Sequence, residues 1–182
     1  LVRGMDFRLY GDYGLNVFNS RSLAYLKDKE LESACVSFEL RFAQIRDLKK
    51  VLRAEAIVYG RLPLMITENC LVQNETGCRL DRQGPCVPED GPCRCGQPNV
   101  LVDRTGAAFP LLPAYGHRTE IQNSKPLYLA DRPEHRRLGL AYARLRFTTE
   151  TAEECVSVVQ NYLDAAPAAG DFTRGLYERG VE

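Results

Sequence analysis

Three short apolar runs decide how this chain is read: Leu15-Asn16-Val17-Phe18, Ala34-Cys35-Val36-Ser37-Phe38 and Ala56-Ile57-Val58-Tyr59. They recur about every 21 residues and have the length and the β-branched or aromatic content of buried strands. Helical patterns lie between them. Ser20 or Ser22 is placed to cap a helix running to about Lys29. Leu40, Gln44, Ile45 and Leu48 line one face of a second helix, with Arg41, Arg46 and Asp47 pointing elsewhere. Strand, helix, strand, helix, strand with short loops predicts a parallel sheet with right-handed crossovers. Three parallel strands do not close a barrel and leave an open edge. Residues 1 to about 66 therefore read as the last βα units of a TIM-like α/β barrel, with the remainder of the barrel expected upstream of Leu1.

The pattern changes after residue 99, and residues 100–182 read as a small α+β region. Val100-Leu101-Val102 and Phe109-Pro110-Leu111-Leu112 flank Asp103-Arg104-Thr105-Gly106, a hairpin signal. Pro126-Leu127-Tyr128-Leu129 is extended, and Leu140 to Phe147 alternates as a half-buried strand does. Thr151-Ala152-Glu153-Glu154 is a capping-box pattern; its helix is expected to run to about Leu163 and bury Cys155, Val158, Val159 and Leu163.

Between these regions, residues 67–99 carry five of the seven cysteines: Cys70, Cys78, Cys86, Cys93 and Cys95. Seven residues separate Cys70 from Cys78, seven Cys78 from Cys86, six Cys86 from Cys93, and one Cys93 from Cys95. Structural zinc sites pair their ligands with two to four residues between them, and no such pair occurs here. Loop-spaced thiols suit an iron–sulfur cluster, whose corners are reached from different loops. Gly77, Gly84, Pro85, Pro88, Gly91, Pro92 and Gly96 deny the segment a regular element, and metal ligation would supply the order that a core cannot. Disulfides, zinc and unpaired thiols stay open as alternatives. Cys35 and Cys155 read as buried core thiols. His117, in a loop after Tyr115-Gly116, is a possible nitrogen ligand or a surface histidine; His135, beside Arg136 and Arg137, reads as exposed.

Lysine plus arginine equals aspartate plus glutamate, 24 against 24, so the overall charge gives no support for binding a polyanion. No apolar stretch is long enough to span a membrane. An odd cysteine count and a sizeable expected core favour a reducing cytoplasm over a disulfide framework. In α/β barrels the chemistry sits at the C-terminal ends of the strands. Those ends hold Asn19, Glu39 and Arg61, with Glu68, Asn69 and Cys70 one short loop later. Asn19, Glu39, Arg61 and Glu68 are the candidate catalytic groups. For Asn19 the bland reading is a helix cap, and for Glu39 a place in a first helical turn. No G-x-S-x-G elbow, H-E-x-x-H helix or phosphate-cradling loop is present.

At Tyr59-Gly60-Arg61-Leu62-Pro63-Leu64-Met65-Ile66-Thr67-Glu68-Asn69-Cys70 the chain resembles the collagenase-like peptidase family U32. Asp12-Tyr13-Gly14-Leu15-Asn16-Val17-Phe18-Asn19-Ser20, Ser37-Phe38-Glu39-Leu40, Asp103-Arg104-Thr105-Gly106 and Asn123-Ser124-Lys125-Pro126-Leu127-Tyr128-Leu129 agree with its larger members. So do the closing Phe172-Thr173-Arg174-Gly175-Leu176-Tyr177 and Arg179-Gly180-Val181-Glu182. The resemblance implies a barrel-like catalytic domain. Members were named as proteases, with no agreed catalytic residues. Others hydroxylate a cytidine of large-subunit ribosomal RNA or the wobble uridine of tRNA, using a four-iron four-sulfur cluster held by four cysteines and prephenate-linked metabolism. The partner is then RNA or a peptide. Carried over residue by residue, Cys70 and Cys78 fit the first two ligands and Cys95 or Cys93 the third. The fourth falls near His117, where a cysteine is expected and histidine stands; Cys86 or Cys93 is the alternative. A zinc-stapled module without catalysis is the remaining reading.

Overall fold

The computed structural model describes residues 6–76, 94 and 97–179. Cys78, Cys86, Cys93 and Cys95 lie outside the described residues. The chain is mixed α/β and forms two compact units, Leu1–Gly60 with Leu127–Glu182, and Arg61–Pro126. Residues 100–182, one region on sequence grounds, are thus shared between the units.

The first unit is built on a five-stranded sheet. Strand β1 (Leu9–Gly11) pairs in parallel with β2 (Leu31–Cys35), and β2 in parallel with β3 (Arg53–Gly60). Helix α1 (Ser20–Asp28) crosses from β1 to β2, and α2 (Phe42–Asp47) from β2 to β3. The expected strand–helix alternation is present, but its first strand is displaced. Leu15 ends a 3₁₀ turn, Tyr13–Leu15, that Asp12 caps and Asn16 closes in the left-handed region at φ 46°. Of the predicted first strand only Val17 joins the sheet, through a bridge to Val36. The α1 cap is Asn19, whose side chain accepts from the backbone N–H groups of Arg21 and Ser22 at 3.0 Å. Ser20 and Ser22 fall inside the helix instead.

Eight residues long and buried from Ala54 to Gly60, β3 is flanked on both edges. Glu55 pairs with Cys35 on one edge and with Tyr142 on the other. Within Arg61–Pro126 lie β4 (Pro63–Thr67), α3 (Leu71–Thr76), β5 (Asn99–Val102), β6 (Ala108–Ala114) and β7 (Arg118–Gln122). The chain then returns to the first unit as β8 (Leu127–Tyr128), antiparallel to the end of β3, and β9 (Tyr142–Leu145), parallel to it. Sequence periodicity reveals β9 as a strand but carries no pairing information, so its place beside β3 was not legible. Among the described residues the sheet does not close into a barrel.

Helix α4 (Ala152–Asp164) opens on the expected capping box: Thr151 Oγ1 accepts from the Glu154 N–H, and the Glu154 carboxylate accepts from the Thr151 N–H at 2.7 Å. Its packing face is turned from the expected one. Val158 and Tyr162 pack against Tyr59, Tyr128 and Ala130, whereas Leu163 and Val159 are exposed. Tyr162 fixes this face because its hydroxyl donates to the Val58 carbonyl and accepts from the Leu129 N–H. His135, expected at the surface, is buried with its Nδ1 on the Arg132 carbonyl and its ring against Tyr162. Burial holds its pKa below the ordinary histidine value.

The second unit is an antiparallel sheet in the order β4-β7-β6-β5. The expected hairpin is its β5–β6 arm, where Asp103 Oδ1 accepts from the N–H groups of Thr105 and Ala107. No helix among the described residues is long and apolar enough to cross a membrane.

Gly60 shows how tightly β9 is seated. Its φ is +119°, and an added Cβ would lie 2.0 Å from the Arg146 carbonyl oxygen. Gly60→Ala is expected to lower unfolding free energy by at least about 2 kcal/mol in urea melts; an unchanged melt would contradict this seating.

Candidate functional site

Two polar constellations emerge, one in each unit. The one in the first unit was not foreseen from the sequence. Cys35 and Glu55 are directly paired across β2 and β3 and so project from one face of the sheet. Arg144, opposite Ile57 on β9, reaches back to the Glu55 carboxylate and also to Asp12, the residue after β1. Strands β1 and β9 are three strand spacings apart, about 14 Å in a flat sheet, more than these two side chains span together. The sheet must therefore curl toward this face.

Glu55 is the most buried of the three charged members, with its side chain 11 % exposed, while Arg144 is 28 % and Asp12 62 % exposed. A carboxylate so enclosed requires a counter-charge. Cys35 lies among these charges, fully buried. Desolvation pushes its thiol up to about 12 against the pull of Arg144, so it stays protonated at neutral pH and is no nucleophile. Above this row, at the C-terminal ends of the parallel strands, Arg146 lies over the Tyr13 ring at 5.3 Å and donates to its hydroxyl at 3.3 Å. The Tyr13 ring in turn meets Phe38 at 6.0 Å. A sequence signal exists for this group: one carboxylate inside Ala54-Glu55-Ala56-Ile57 demands a buried partner, and Arg144 and Arg146 alternate within the Leu140 to Phe147 run.

Of the four groups considered for catalysis, Asn19 and Glu39 belong to the first unit, and Arg61 and Glu68 to the second. Asn19 caps α1. Glu39 lies in the turn ahead of α2 rather than in its first helical turn, with its N–H on Ser37 Oγ. Arg61 donates to the Asn123 carbonyl at 3.0 Å and to that of Ser124. Glu68 pairs with Arg118 at 3.0 Å.

The second constellation lies at one end of the β4–β7 ladder. Thr67 pairs with Thr119, so Cys70, three residues beyond Thr67, and His117, two residues before Thr119, lie toward the same end. The Glu68–Arg118 ion pair spans the strands at this end, and Thr119 Oγ1 accepts from the Leu71 N–H at 3.0 Å, seating the start of α3. Cys70 immediately precedes that helix and is buried. His117 is half-buried in the Tyr115–His117 turn at φ 59°, a left-handed position that sets the direction of its side chain. Among the described residues alone, no group of three or more metal-binding side chains assembles.

The family model of peptidase family U32 matches residues 5–103, more than half of the chain. The chain belongs to peptidase family U32. The matched span takes in the Asp12-Tyr13 turn, Glu55, Glu68, Cys70 and all of the loop cysteines, whereas Arg144, Arg146 and His117 fall beyond it. No curated protein and no solved structure matches the chain.

The Arg144 constellation makes a direct thermodynamic prediction. Arg144→Leu strands the Glu55 carboxylate and is expected to cost about 3 kcal/mol. Asp12→Asn, at an exposed partner, is expected to cost under about 1 kcal/mol. The Arg144→Leu, Glu55→Leu double variant is expected to be more stable than Arg144→Leu alone, since both charges then leave the interior. Urea melts of these variants and of Glu55→Leu alone measure the pairing, and a double variant as unstable as the sum of its two singles would contradict it.

Proposed function

We propose that this chain is part of a U32-family RNA-modification factor that carries an iron–sulfur site on its second unit. Cys70, Cys78 and Cys95 (or Cys93) would hold the cluster, with His117 as the fourth ligand and Cys86 as a spare. The observation that carries this reading is the β4–β7 register, which brings Cys70 and His117 toward one end of one ladder although 46 residues lie between them in the chain. The donor set fits: cysteine thiolates ligate such clusters, and imidazole replaces thiolate in some. When bound, the cluster would supply a one-electron redox centre. Among the chain's own residues, the Glu68–Arg118 pair and the Thr119 hydroxyl position the two candidate ligands.

The curled parallel strands of the first unit fit a sector of a larger α/β barrel, with Arg144 and Glu55 on its concave face. The substrate in this reading is ribosomal or transfer RNA, and the compartment a reducing cytoplasm. Peptidase chemistry is the weaker reading. Asn19, Arg61 and Glu68 are engaged in a cap, carbonyl contacts and an ion pair, and the Cys35 thiol is held protonated.

Anaerobic purification of the chain tests this reading. A brown protein is expected, with broad absorbance from thiolate-to-iron charge transfer and roughly four iron atoms per chain for a cubane cluster. Cys70→Ala and Cys78→Ala are expected to abolish both signals. One tightly held zinc with no iron, or a colourless protein that still supports RNA hydroxylation, would overturn it.

A further inference from the structure

We propose that β5 is the surface on which a second copy of this chain pairs, strand against strand, about a two-fold axis through Leu101. The interface belongs to the sheet of the second unit and is independent of the iron–sulfur reading. In the order β4-β7-β6-β5 the edge strands are β4 and β5, and among the described residues nothing pairs with the outer edge of either. Both edges are apolar, but only β5 is unguarded. Strand β4 begins on Pro63, which has no N–H to give, and its register is broken between Pro63 and Met65. Strand β5 has no proline, no charge and no break in its pairing with β6. Its Val100, Leu101 and Val102 are 56 %, 45 % and 58 % exposed. Val100 and Val102 share the face of Pro110 and Ala108, and Leu101 the face of Phe109. Apolar side chains thus meet solvent on both faces of the strand, where an antiparallel sheet ordinarily keeps one face polar.

Backbone direction sets the register. The Asp103 N–H donates to the Ala107 carbonyl at 3.0 Å, which turns residue 103 toward β6 and, by the alternation of an antiparallel ladder, residues 101 and 99 with it. The N–H and C=O groups of Val100 and Val102 therefore point outward. Pro110, opposite Val100, agrees with this alternation, because a proline has no N–H to give to β5. A second copy laid antiparallel, with Leu101 opposite its own counterpart, brings Val100 against Val102 of the second copy as a hydrogen-bonded pair, and Val102 against Val100 likewise. The valine pairs meet on one face and the two leucines on the other. Asn99 falls opposite Asp103 of the second copy, an amide against a carboxylate, so no like charges oppose each other along the strand. Sliding the copies by two residues one way sets Val102 against Pro98, which lacks an N–H, and the other way sets Val100 against Arg104 in the hairpin turn. A chain of zero net charge does not repel its copy. The contact is isologous, so it consumes the edge and stops at two. One short ladder buries less than the roughly 1,200 Å² at the lower end of stable interfaces, so the dimer is weak and reversible.

Sedimentation equilibrium of the whole chain from about 10 µM to about 500 µM tests the pairing. A monomer–dimer equilibrium with a Kd of about 100 µM is expected. Val100→Lys and Val102→Lys each put a charge on the edge and are expected to weaken association about tenfold or more. Leu64→Lys, on β4, is expected to leave it unchanged. All three side chains are more than half exposed in a single copy, so thermal melts are expected to match the unsubstituted chain, and either lysine variant on β5 carries the test if the other does not fold. Under a thiol–disulfide couple, Leu101→Cys is expected to yield a disulfide between the two copies at position 101, identified by peptide mass spectrometry. The reason is that directly opposed Cα atoms of a non-hydrogen-bonded pair lie about 4.5 Å apart, within reach of a disulfide. Val100→Cys lies two residues out of line with its counterpart and is expected not to link. A mass that stays at one chain throughout, assembly that grows past two, or unchanged association in the folded β5 lysine variants would overturn the proposal. So would lost association in folded Leu64→Lys, or linkage as ready at position 100 as at 101.

Discussion

A carboxylate enclosed in the middle of a sheet is the constraint around which the first unit is arranged. Glu55 sits in β3, the strand with neighbours on both edges, and Arg144 answers it from β9. Because Arg144 also reaches Asp12 beyond β1, the same guanidinium joins the outer strands of the parallel set and records the curl of the sheet. The return of the chain as β8 and β9 is what completes this unit. Without it, β3 would lack one flank and Glu55 its counter-charge. Two tyrosines reinforce the arrangement from the other side of the chain's path: Tyr177 donates to the Ile57 carbonyl at 2.6 Å and Tyr162 to that of Val58. Burial raises the pKa of both hydroxyls, which remain protonated donors.

Much of this was readable in the sequence where local rules decide the outcome. The α4 capping box, the Asp103 hairpin turn and the buried run of β3 follow from residue type and spacing, and the structure has all three. The misplaced first strand has a local cause too: Asp12 capping and the left-handed Asn16 make Tyr13–Leu15 a turn, although its residues are as apolar as a strand's. Periodicity does not give the packing face of α4, because it marks an apolar stripe but not which of its edges meets a neighbour; the Tyr162 hydroxyl on the Val58 carbonyl sets it. Family resemblance led to Cys70 and His117, and sheet register then gave their shared end of the ladder. The Arg144–Glu55–Asp12 group was missed because its members lie 43 and 89 residues apart, and only strand order brings them together.

Membership in peptidase family U32 therefore rests beside two chemically different features. In the first unit, a protonated thiol and a satisfied ion pair give a rigid support whose rim carries aromatic rings and a guanidinium. In the second, a short antiparallel sheet offers one buried thiol and one histidine toward the same end, with an ion pair and a threonine hydroxyl holding the backbone around them. The proposed function depends on the second. Its distinguishing claim is that histidine, where a fourth cysteine is expected, is a ligand rather than a loss.

Pulsed electron paramagnetic resonance on the anaerobically reduced protein tests that claim most directly. The account predicts a strongly coupled nitrogen on the cluster signal that disappears in His117→Ala. A cluster without such a coupling, or one whose coupling survives the substitution, would contradict it.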